Sequence, residues 1–380
     1  MDEKTRSGIL SRRNAMSMMV GGAAGIGALL TGMGEGHATA QQAPPQTSPM
    51  GNPIPPAQDP RFPQAPVWET ELRLLAPHVY AFVQAGGPGK NNVSVSNAGM
   101  IEGPDYLVAV DATEGPIPAQ RFISDSKKAT GKSFGRMVNT HHHGDHVDGN
   151  QFFLPAEIIS HPYCRTECVK AAQAQANNPN QRTFAAHEGV ALGTEPRKLA
   201  VQNTTIEDNF VQYVGDTRVE WIYAGPAHTW GDLMAYLPQH KILFAGDVAF
   251  FWVAPFAQNG HISKWIETCD RILGMDVDTI VPGHGPIGGK KDLAEMADYF
   301  RVLTVEARKR YQQKMSAGAA AADIRMGRFD NWIGPERIVM DTARLYDEWN
   351  GSLIPDVNVG GIREATLEYN EAKMKAAARK

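Results

Sequence analysis

Four histidines and one aspartate fall within six consecutive residues of this sequence, the segment His141–His146 with the letters HHHGDH. Crowding imidazoles and a carboxylate without a partner is costly, because these groups are polar and the carboxylate is charged. A metal ion removes that cost, since neutral histidine and ionised aspartate are preferred nitrogen and oxygen ligands. The segment therefore predicts a metal site.

The spacing within this segment predicts which side chains converge. His141 and His143 are two residues apart, so on extended backbone both point the same way, while His142 points the opposite way. Asp145 and His146 then enter from the following turn. Four further candidates each follow a predicted strand, at the strand ends where α/β folds build their sites. They are Asp111, His228, Asp247 and His284.

With these residues in this order, the chain resembles the metallo-β-lactamase-fold hydrolase superfamily from about Val79 to Pro286. The motif is His-x-His-x-Asp-His within His141–His146, followed by the three later candidates. The resemblance implies an α/β fold, namely an αββα metallo-β-lactamase sandwich with two metal ions at one edge. It also implies the ligand sets: His141, His143 and His228 for the first metal, Asp145, His146 and His284 for the second, and Asp247 bridging both.

The same resemblance implies supporting roles for neighbouring residues. Asp111 corresponds to an early acidic residue that orients the metal-binding loop without ligating. We expect His142 to be a spacer or an outer support, and His161 to be structural. Two residues depart from the usual pattern, Asp148 where glycine is common and Trp230 where proline is frequent. Both are predicted to lie near the metals, where they either shape the pocket or serve the fold.

Two zinc ions about 3.5–4 Å apart can share a water and lower its pKa towards neutrality, so the expected nucleophile is a metal-bridging hydroxide. One metal would polarise the substrate carbonyl, and Asp145 would hold the nucleophile and pass its proton towards the leaving group. This chemistry predicts hydrolysis of a carboxylic ester, lactone, thioester or amide. Iron or manganese remains an alternative to zinc, because carboxylate-rich sites also accept those metals.

Asp247 narrows the choice among the branches of the superfamily, since dedicated β-lactamases carry Cys or Ser at this position. The aspartate resembles the glyoxalase II and lactonase-like branch, and also the phosphodiesterase branches, which the absence of Lys or Arg within the ligand motifs disfavours. The apolar run Phe250–Phe256 either faces the metals, which would suit a hydrophobic substrate, or belongs to the core. Alternatives are β-lactam hydrolysis in the periplasm, iron-dependent oxidoreductase chemistry and a non-catalytic binding role.

Strand-like and helical segments alternate along the chain and independently predict an α/β class. We place the catalytic domain at residues 68–289 and a C-terminal helical extension at 290–380. The strands predicted beside the candidate ligands are Tyr106–Asp111, Arg136–Thr140, Val219–Tyr223, Ile242–Ala245 and Asp278–Val281. An amphipathic helix around Pro335–Trp349 is expected to dock on the domain. Whether the extension covers the site mouth or forms a dimer face is left open by the sequence.

The N-terminus has the features of an export signal. Arg12-Arg13 precede a mildly apolar, glycine-rich stretch, and Ala38-Thr39-Ala40 fits a cleavage site. We therefore expect residues 1–40 to be a twin-arginine-type signal peptide. The mature protein would be periplasmic, with no stable membrane insertion after cleavage. Residues 41–67, rich in Pro, Gln and Ala, are expected to form a disordered linker or an arm.

Amino-acid composition and net charge indicate which classes of partner to expect. Of the 380 residues, 42% are hydrophobic and 21% are charged, which is typical of a soluble globular protein. A net charge of -4 gives no electrostatic case for nucleic acid or an anionic membrane. The expected partner is a small-molecule substrate, with a homodimer as a further expectation that the sequence leaves open. Three cysteines cannot form a disulfide framework and are expected to be inert thiols.

Overall fold

Two β-sheets lie face to face in the protein, whose structure is a computed structural model that describes residues 52–90, 95–178, 193 and 195–378. The strands of the first sheet are β1 Glu71–Ala76, β2 Val79–Val83, β3 Ala98–Glu102, β4 Leu107–Val110, β5 Phe134–Val138, β6 Glu157–Ser160 and β7 Thr204–Thr205. They are ordered as in the sequence, antiparallel from β1 to β4 and parallel from β4 to β7.

The second sheet contains β8 Phe210–Val214, β9 Thr217–Tyr223, β10 Leu233–Leu237, β11 Ile242–Phe250 and β12 Thr279–His284. Their order is β12-β11-β10-β9-β8, antiparallel except for the parallel pair β11 and β12. The helices are α1 Pro116–Thr130, α2 Gly144–Val147, α3 Pro162–Asn177, α4 Ile262–Leu273, α5 Lys290–Gln312, α6 Ala317–Asp323, α7 Ile338–Asn350 and α8 Val359–Ala377.

Alternate residues of the strands build the core between the sheets. In β4, Val108 and Val110 face the second sheet, whereas Leu107 and Ala109 pack on the side of α1. This division follows from the two-residue period of a strand. Phe244 of β11 meets the inner residues from the other sheet. The first sheet is therefore covered on both faces.

The outer face of the second sheet is covered by helices of the C-terminal half. Leu243 and Ile280 pack against the apolar face of α4, where Trp265, Cys269 and Ile272 recur every three or four residues. Helices α5 to α8 join the same apolar cluster. The layers are thus helix, sheet, sheet and helix, which confirms the predicted α/β class, its αββα sandwich and the C-terminal helical region.

β11 is longer than the sequence predicts, since it continues past Ala245 to Phe250. Its pairing with β12 shifts register on either side of Gly246. Asp247 therefore lies inside the strand and not in a turn that follows it. β12 likewise continues to His284, beyond its predicted end.

The residues before the first strand contact the C-terminal helical region. Asn331 Nδ2 donates to the carbonyl oxygens of Asp59 at 2.8 Å and Phe62 at 3.0 Å. The hydroxyl of Tyr369 in α8 donates to the Ile54 carbonyl at 2.8 Å. From Asn52 onwards, this segment is therefore held by several hydrogen bonds to the helices.

The predicted signal peptide, residues 1–40, and the first part of the predicted linker, residues 41–51, lie outside the described residues. Within the part that is described, no helix combines the length and apolar character needed to cross a bilayer. All three cysteines are in this part, where each is buried and free of a disulfide.

Candidate dinuclear metal centre

Segments from both sheets bring the candidate ligands to one edge of the sandwich. The loop after β5 supplies His141 and His143, and the short helix α2 that follows supplies Asp145 and His146. The second sheet supplies the rest: His228 from the loop after β9, Asp247 from within β11 and His284 from the end of β12. All seven predicted ligands are thus brought together, although they span more than a third of the chain.

The first group is His141, His143, His228 and Asp247, whose ligand atoms all lie within 4.8 Å of one another. His143 Nδ1 is 2.8 Å from His228 Nε2, which is 3.2 Å from Asp247 Oδ2. His141 Nε2 is 3.8 Å from the same carboxylate oxygen. Three imidazole nitrogens and one carboxylate oxygen form a donor set that suits a tetrahedral divalent ion.

The second group is Asp145, His146, Asp247 and His284, with ligand atoms again within 4.8 Å of one another. His284 Nε2 is 3.0 Å from Asp145 Oδ2 and 3.4 Å from Asp247 Oδ2. His146 Nε2 is 3.0 Å from Asp247 Oδ1. Asp247 therefore belongs to both groups, as a ligand shared by two metals must.

Buried ligand atoms in both groups make no hydrogen bond to any residue that the structure describes. They are His141 Nε2, His146 Nε2 and Asp247 Oδ1, of which the last two lie 3.0 Å apart without the geometry of a hydrogen bond. A buried polar atom without a hydrogen-bond partner costs about 1–3 kcal/mol. One metal ion held by each group would satisfy all three atoms. The residues present therefore fit two metal ions.

Asp111 supports the metal-binding loop and joins neither group. Its Oδ2 lies 2.8 Å from His146 Nδ1, and a proton on Nδ1 fixes the tautomer that leaves Nε2 free. Thr140 donates to the same carboxylate twice, from its backbone N–H at 2.7 Å and from its hydroxyl at 2.8 Å. That hydroxyl is also 3.1 Å from His141 Nδ1. Asp111 thus takes the orienting role that the sequence predicts for it.

His143 has a support that the sequence does not reveal. Its Nε2 lies 3.0 Å from Asn259 Oδ1, so the ring donates there and presents Nδ1 to the first group. The Asn259 side-chain amide in turn donates to the Pro355 carbonyl at 3.1 Å. An Asn-Gly pair indicates a turn, and nothing in its spacing points to a histidine 116 residues away.

Two glycines allow the second sheet to approach the ligands closely. At Gly283 a Cβ atom would lie 1.8 Å from Asp247 Oδ1, so a side chain there would displace the shared ligand. Gly246 has a φ of +52°, and its Cβ would lie 2.7 Å from the Thr140 hydroxyl. Both positions require glycine because β11 and β12 pass directly against the site.

The two groups differ in their protonation. Burial lowers the pKa of His141 and His228 well below the ordinary value, which leaves both imidazoles neutral with lone pairs available. Burial also lowers the pKa of His284, but the carboxylates of Asp247 and Asp145 together outweigh burial and raise the pKa to about 9. Asp247 likewise raises the pKa of His146 against the effect of burial. A metal entering the second group must therefore displace protons.

The sequence matches the metallo-beta-lactamase superfamily over residues 91–284, a range that contains all seven candidate ligands. The chain belongs to this superfamily. It is 21% identical over 230 residues to a linear primary-alkylsulfatase of Pseudomonas sp. (strain ATCC 19151), covering 52% of this chain and 43% of that protein. It is 26% identical over 195 residues to 2,4-dinitroanisole O-demethylase subunit alpha of Nocardioides sp. (strain JS1661), covering 48% and 51%.

The chain spans about half the length of these curated relatives. Among solved structures, it is similar to the inverting sec-alkylsulfatase Pisa1 from Pseudomonas sp., with a TM-score of 0.56 and 15% sequence identity. That likeness covers 74% of this chain and 50% of the other. It concerns the fold alone, in agreement with the αββα layers described above.

Two residues that depart from the usual superfamily pattern make structural contacts. Asp148 accepts hydrogen bonds from Arg197 at 2.8 and 2.7 Å, which tie the end of α2 to a later segment. The Trp230 ring lies 6.1 Å from the His261 ring, and its carbonyl accepts from the Tyr223 hydroxyl at 3.0 Å. Neither Asp148 nor Trp230 belongs to a ligand group.

The other two histidines near the cluster also lie outside both ligand groups. His142 packs its ring 5.7 Å from the ring of Tyr163. His161 caps α3, since its Nδ1 accepts from the Tyr163 N–H at 3.2 Å, and its ring stacks on Tyr223 at 4.4 Å. These contacts agree with the structural roles expected of both residues.

The apolar run that follows Asp247 is divided between the site and other surroundings. Phe250 stacks on His284 with ring centroids 5.0 Å apart, and Phe256 lies 6.2 Å from the His143 ring. Phe251–Trp252 instead line a cavity of about 340 Å³ whose lining includes none of the seven ligands. Only part of the run is therefore the apolar wall that the sequence suggested.

A small recess of about 10 Å³ lies beside His284. Its lining includes the apolar side chains of Trp68, Val95, Val253 and Ile333. Val253 and Ile333 pair as an isolated parallel bridge, so the C-terminal region contributes one wall of this recess. The described part of the C-terminal extension therefore reaches the edge of the candidate site.

Proposed function

We propose that the protein is a dinuclear zinc hydrolase that cleaves a carboxylic ester or lactone of a small molecule, like the glyoxalase II and lactonase-like branch of its superfamily. The observation that carries the proposal is the position of Asp247 between two groups of ligand atoms, to both of which it belongs. Imidazole nitrogens and carboxylate oxygens at these positions suit zinc, and the carboxylate-rich second group would also accept iron or manganese.

Two divalent ions bound here would activate a water molecule as the nucleophile and polarise the carbonyl group under attack. Asp145 is the carboxylate best placed to move the proton. Its side chain is 16% exposed, against 3% for Asp247, so a substrate can reach it. A carboxylate in this position can accept the proton of the nucleophile and deliver it to the leaving oxygen.

One observation supports an ester or lactone over a β-lactam. Asp247 stands where dedicated β-lactamases carry Cys or Ser, which disfavours a β-lactam as the principal substrate. The recess beside His284 has a volume of only about 10 Å³, and its lining combines apolar side chains, among them Val253 and Ile333, with the polar side chain of Gln84.

The test is a substrate panel on purified full-length protein whose metal content has been quantified. We expect about two zinc ions per chain, since the two groups share one ligand. We also expect turnover of p-nitrophenyl esters or lactones above that of nitrocefin, a β-lactam. Protein without bound transition metal, or metal-loaded protein inert towards all esters and lactones, would contradict the proposal.

A sulfate ester is the second candidate substrate. One relative is named a linear primary-alkylsulfatase. Alkyl sulfates therefore belong in the panel, with free sulfate as the readout, and faster release of sulfate than of carboxylate would favour this candidate.

We also propose that the protein is exported to the periplasm by the twin-arginine route. The support is the pair Arg12-Arg13 ahead of an apolar, glycine-rich stretch and Ala38-Thr39-Ala40. Replacing both arginines with lysine is expected to retain the full-length precursor in the cytoplasmic fraction of the native host. Unchanged appearance of the shorter protein in the periplasmic fraction would count against this route.

A further inference from the structure

We propose that α7 and the loop after it position His143 through Asn259, so that the C-terminal extension is part of the metal centre. This inference rests on the proposed function, because it takes the seven candidate residues to bind metal. Asn259 touches the ligand His143 and no reacting atom, so its role is positioning. Three sets of contacts support this role.

Asn259 and His143 are in direct contact. Asn259 is 5% exposed, and its Oδ1 lies 3.0 Å from His143 Nε2. This hydrogen bond keeps the proton on Nε2 and leaves the Nδ1 lone pair directed at His228 and Asp247. The amide of Asn259 cannot rotate freely, since its Nδ2 donates to the Pro355 carbonyl at 3.1 Å.

Helix α7 supports the segment that carries Asn259. Four side chains lie on one face of α7 and its preceding residue, at spacings of four, three and four. They are Arg337, Asp341, Arg344 and Glu348. Each bonds to the backbone of residues 254–263. The two arginines donate to carbonyl oxygens, Arg337 to that of Ala254 at 2.8 Å and Arg344 to that of Gly260 at 2.6 Å. The two carboxylates accept from backbone N–H groups, Asp341 from that of Ala257 at 3.1 Å and Glu348 from that of Ile262 at 2.5 Å.

Arg344 is only 2% exposed and contacts both this segment and the loop after α7. Its guanidinium donates to the carbonyls of Gly260 at 2.6 Å, Ile354 at 2.6 Å and Asp356 at 3.4 Å. The first of these residues follows Asn259, and the other two flank Pro355. One side chain therefore fixes the separation between Asn259 and the carbonyl that holds it.

A role in packing alone does not account for this arginine. Within the described chain, its hydrogen bonds go to backbone carbonyls and to no carboxylate. Burying a guanidinium without a hydrogen-bonded counter-charge is costly, and an apolar side chain would fill such a position at lower cost. An apolar side chain would lack the three hydrogen bonds to backbone carbonyls. Through Asn259, these hydrogen bonds connect the extension to His143.

The test measures metal binding as well as turnover in the full-length protein. For Asn259→Ala, we expect zinc affinity at one site to fall about 10–100-fold, the usual effect of removing a partner of a ligating histidine. The visible absorption of the cobalt-substituted protein should change with it. Asn259→Asp keeps an acceptor for His143 and is expected to restore affinity towards wild type. Arg344→Met is expected to weaken zinc binding in the same direction.

Asn331→Ala is the matched control, since Asn331 is also a buried asparagine held to backbone groups, at residues 59–63. Its zinc affinity and cobalt spectrum should stay those of wild type. The inference is overturned if folded Asn259→Ala or folded Arg344→Met binds zinc as wild type does. Should Asn259→Ala fail to fold, Arg344→Met decides. A wild-type chain that binds no metal would instead sink the proposed function.

Discussion

Asp247 has a larger part in the candidate site than any other side chain, because its two oxygens face different sets of imidazoles. Oδ1 is 3.0 Å from His146 Nε2, and Oδ2 is 3.2 Å from His228 Nε2. Asp247→Ala removes one anion from both groups at once. We expect bound zinc to fall below one ion per chain and turnover to fall more than about 100-fold, beyond the usual effect of an outer partner.

Elemental analysis and turnover on the same sample check this prediction. Asp330→Ala is the control, because Asp330 is similarly buried and accepts hydrogen bonds from the backbone of Met326 and Gly327. It should cost stability and leave the metal content unchanged. Two zinc ions in Asp247→Ala, or wild-type turnover, would exclude a bridging role for this carboxylate.

The sequence predicts those site residues that lie in a run rich in metal ligands or at the end of a clear strand. The run His141–His146 is dense enough in ligands to indicate a metal, and Asp111 ends a clear strand. Asn259 carries no comparable indication, since a single amide after an apolar run is compatible with any turn. The sequence indicates no more for Arg344 and Glu348 than that they lie in the predicted docking helix. Their function depends on which backbone they meet, and that is decided by tertiary packing.

At the scale of elements, most strands and helices beside the site follow from hydrophobic patterning, and the errors have physical causes. The sequence pattern predicts neither β1 nor β8. β1 is largely exposed and β8 exposes Phe210, Val211 and Tyr213, so neither shows the alternation of a half-buried strand. β11 is buried at all nine positions. Such a strand has no polar face, and its end beyond Gly246 could not be located by alternation.

Ile333 belongs to the segment that bridges to the residues just after β11. It pairs with Val253 and lines the recess beside His284. Ile333→Ala enlarges that recess, so longer acyl groups should gain relative to short ones. One methylene in an apolar pocket is worth about 1–3 kcal/mol, so we expect the ratio of kcat/KM for hexanoyl over acetyl esters to rise about tenfold or more.

The acyl-length ratio is measured with p-nitrophenyl esters on protein of equal zinc content. Val305→Ala, on the exposed side of α5, is the control and should not alter the ratio. An unchanged ratio in Ile333→Ala would mean that the acyl group binds elsewhere.

α7 should confer a pH dependence on stability through Asp341. Burial raises the pKa of this carboxyl to about 7, although Tyr299 and Ala257 donate hydrogen bonds to it. An unfolded Asp titrates near 4. Between these values the folded state retains a proton that the unfolded state has lost, so stability falls as pH rises from about 4 to about 7. The three-unit difference corresponds to at most about 4 kcal/mol.

Asp341→Asn cannot titrate and should lack this loss. Thermal melts of zinc-loaded protein at pH 5 and pH 8 provide the measurement. We expect the melting temperature of Asp341→Asn, relative to wild type, to be higher at pH 8 than at pH 5. An offset between the two proteins that is the same at both pH values would contradict the assignment to Asp341.

At the scale of the whole molecule, the candidate centre joins the two sheets. Its ligands come from the β5 loop and α2 on one side, and from β9, β11 and β12 on the other. The helical extension adds a third contributor through the α7 contacts to residues 254–263. Metals at this place would connect parts of the chain that otherwise meet mainly through the apolar inter-sheet core.

Removing the metal ions should therefore lower the free energy of unfolding of the entire described fold. The effect should not be confined to one metal-binding loop. A ligand that binds the native state alone adds about 4 kcal/mol when present at 1,000 times its Kd, so two zinc ions would add about 8 kcal/mol. In a domain of this size, 1 kcal/mol corresponds to roughly 2 °C in Tm. We expect EDTA to lower the Tm by about 16 °C and added zinc to restore it. Asp247→Ala should show little response to either reagent, because its ligand groups are already broken. An equal loss of Tm with EDTA in wild type and Asp247→Ala would mean that the chelator acts at some other site.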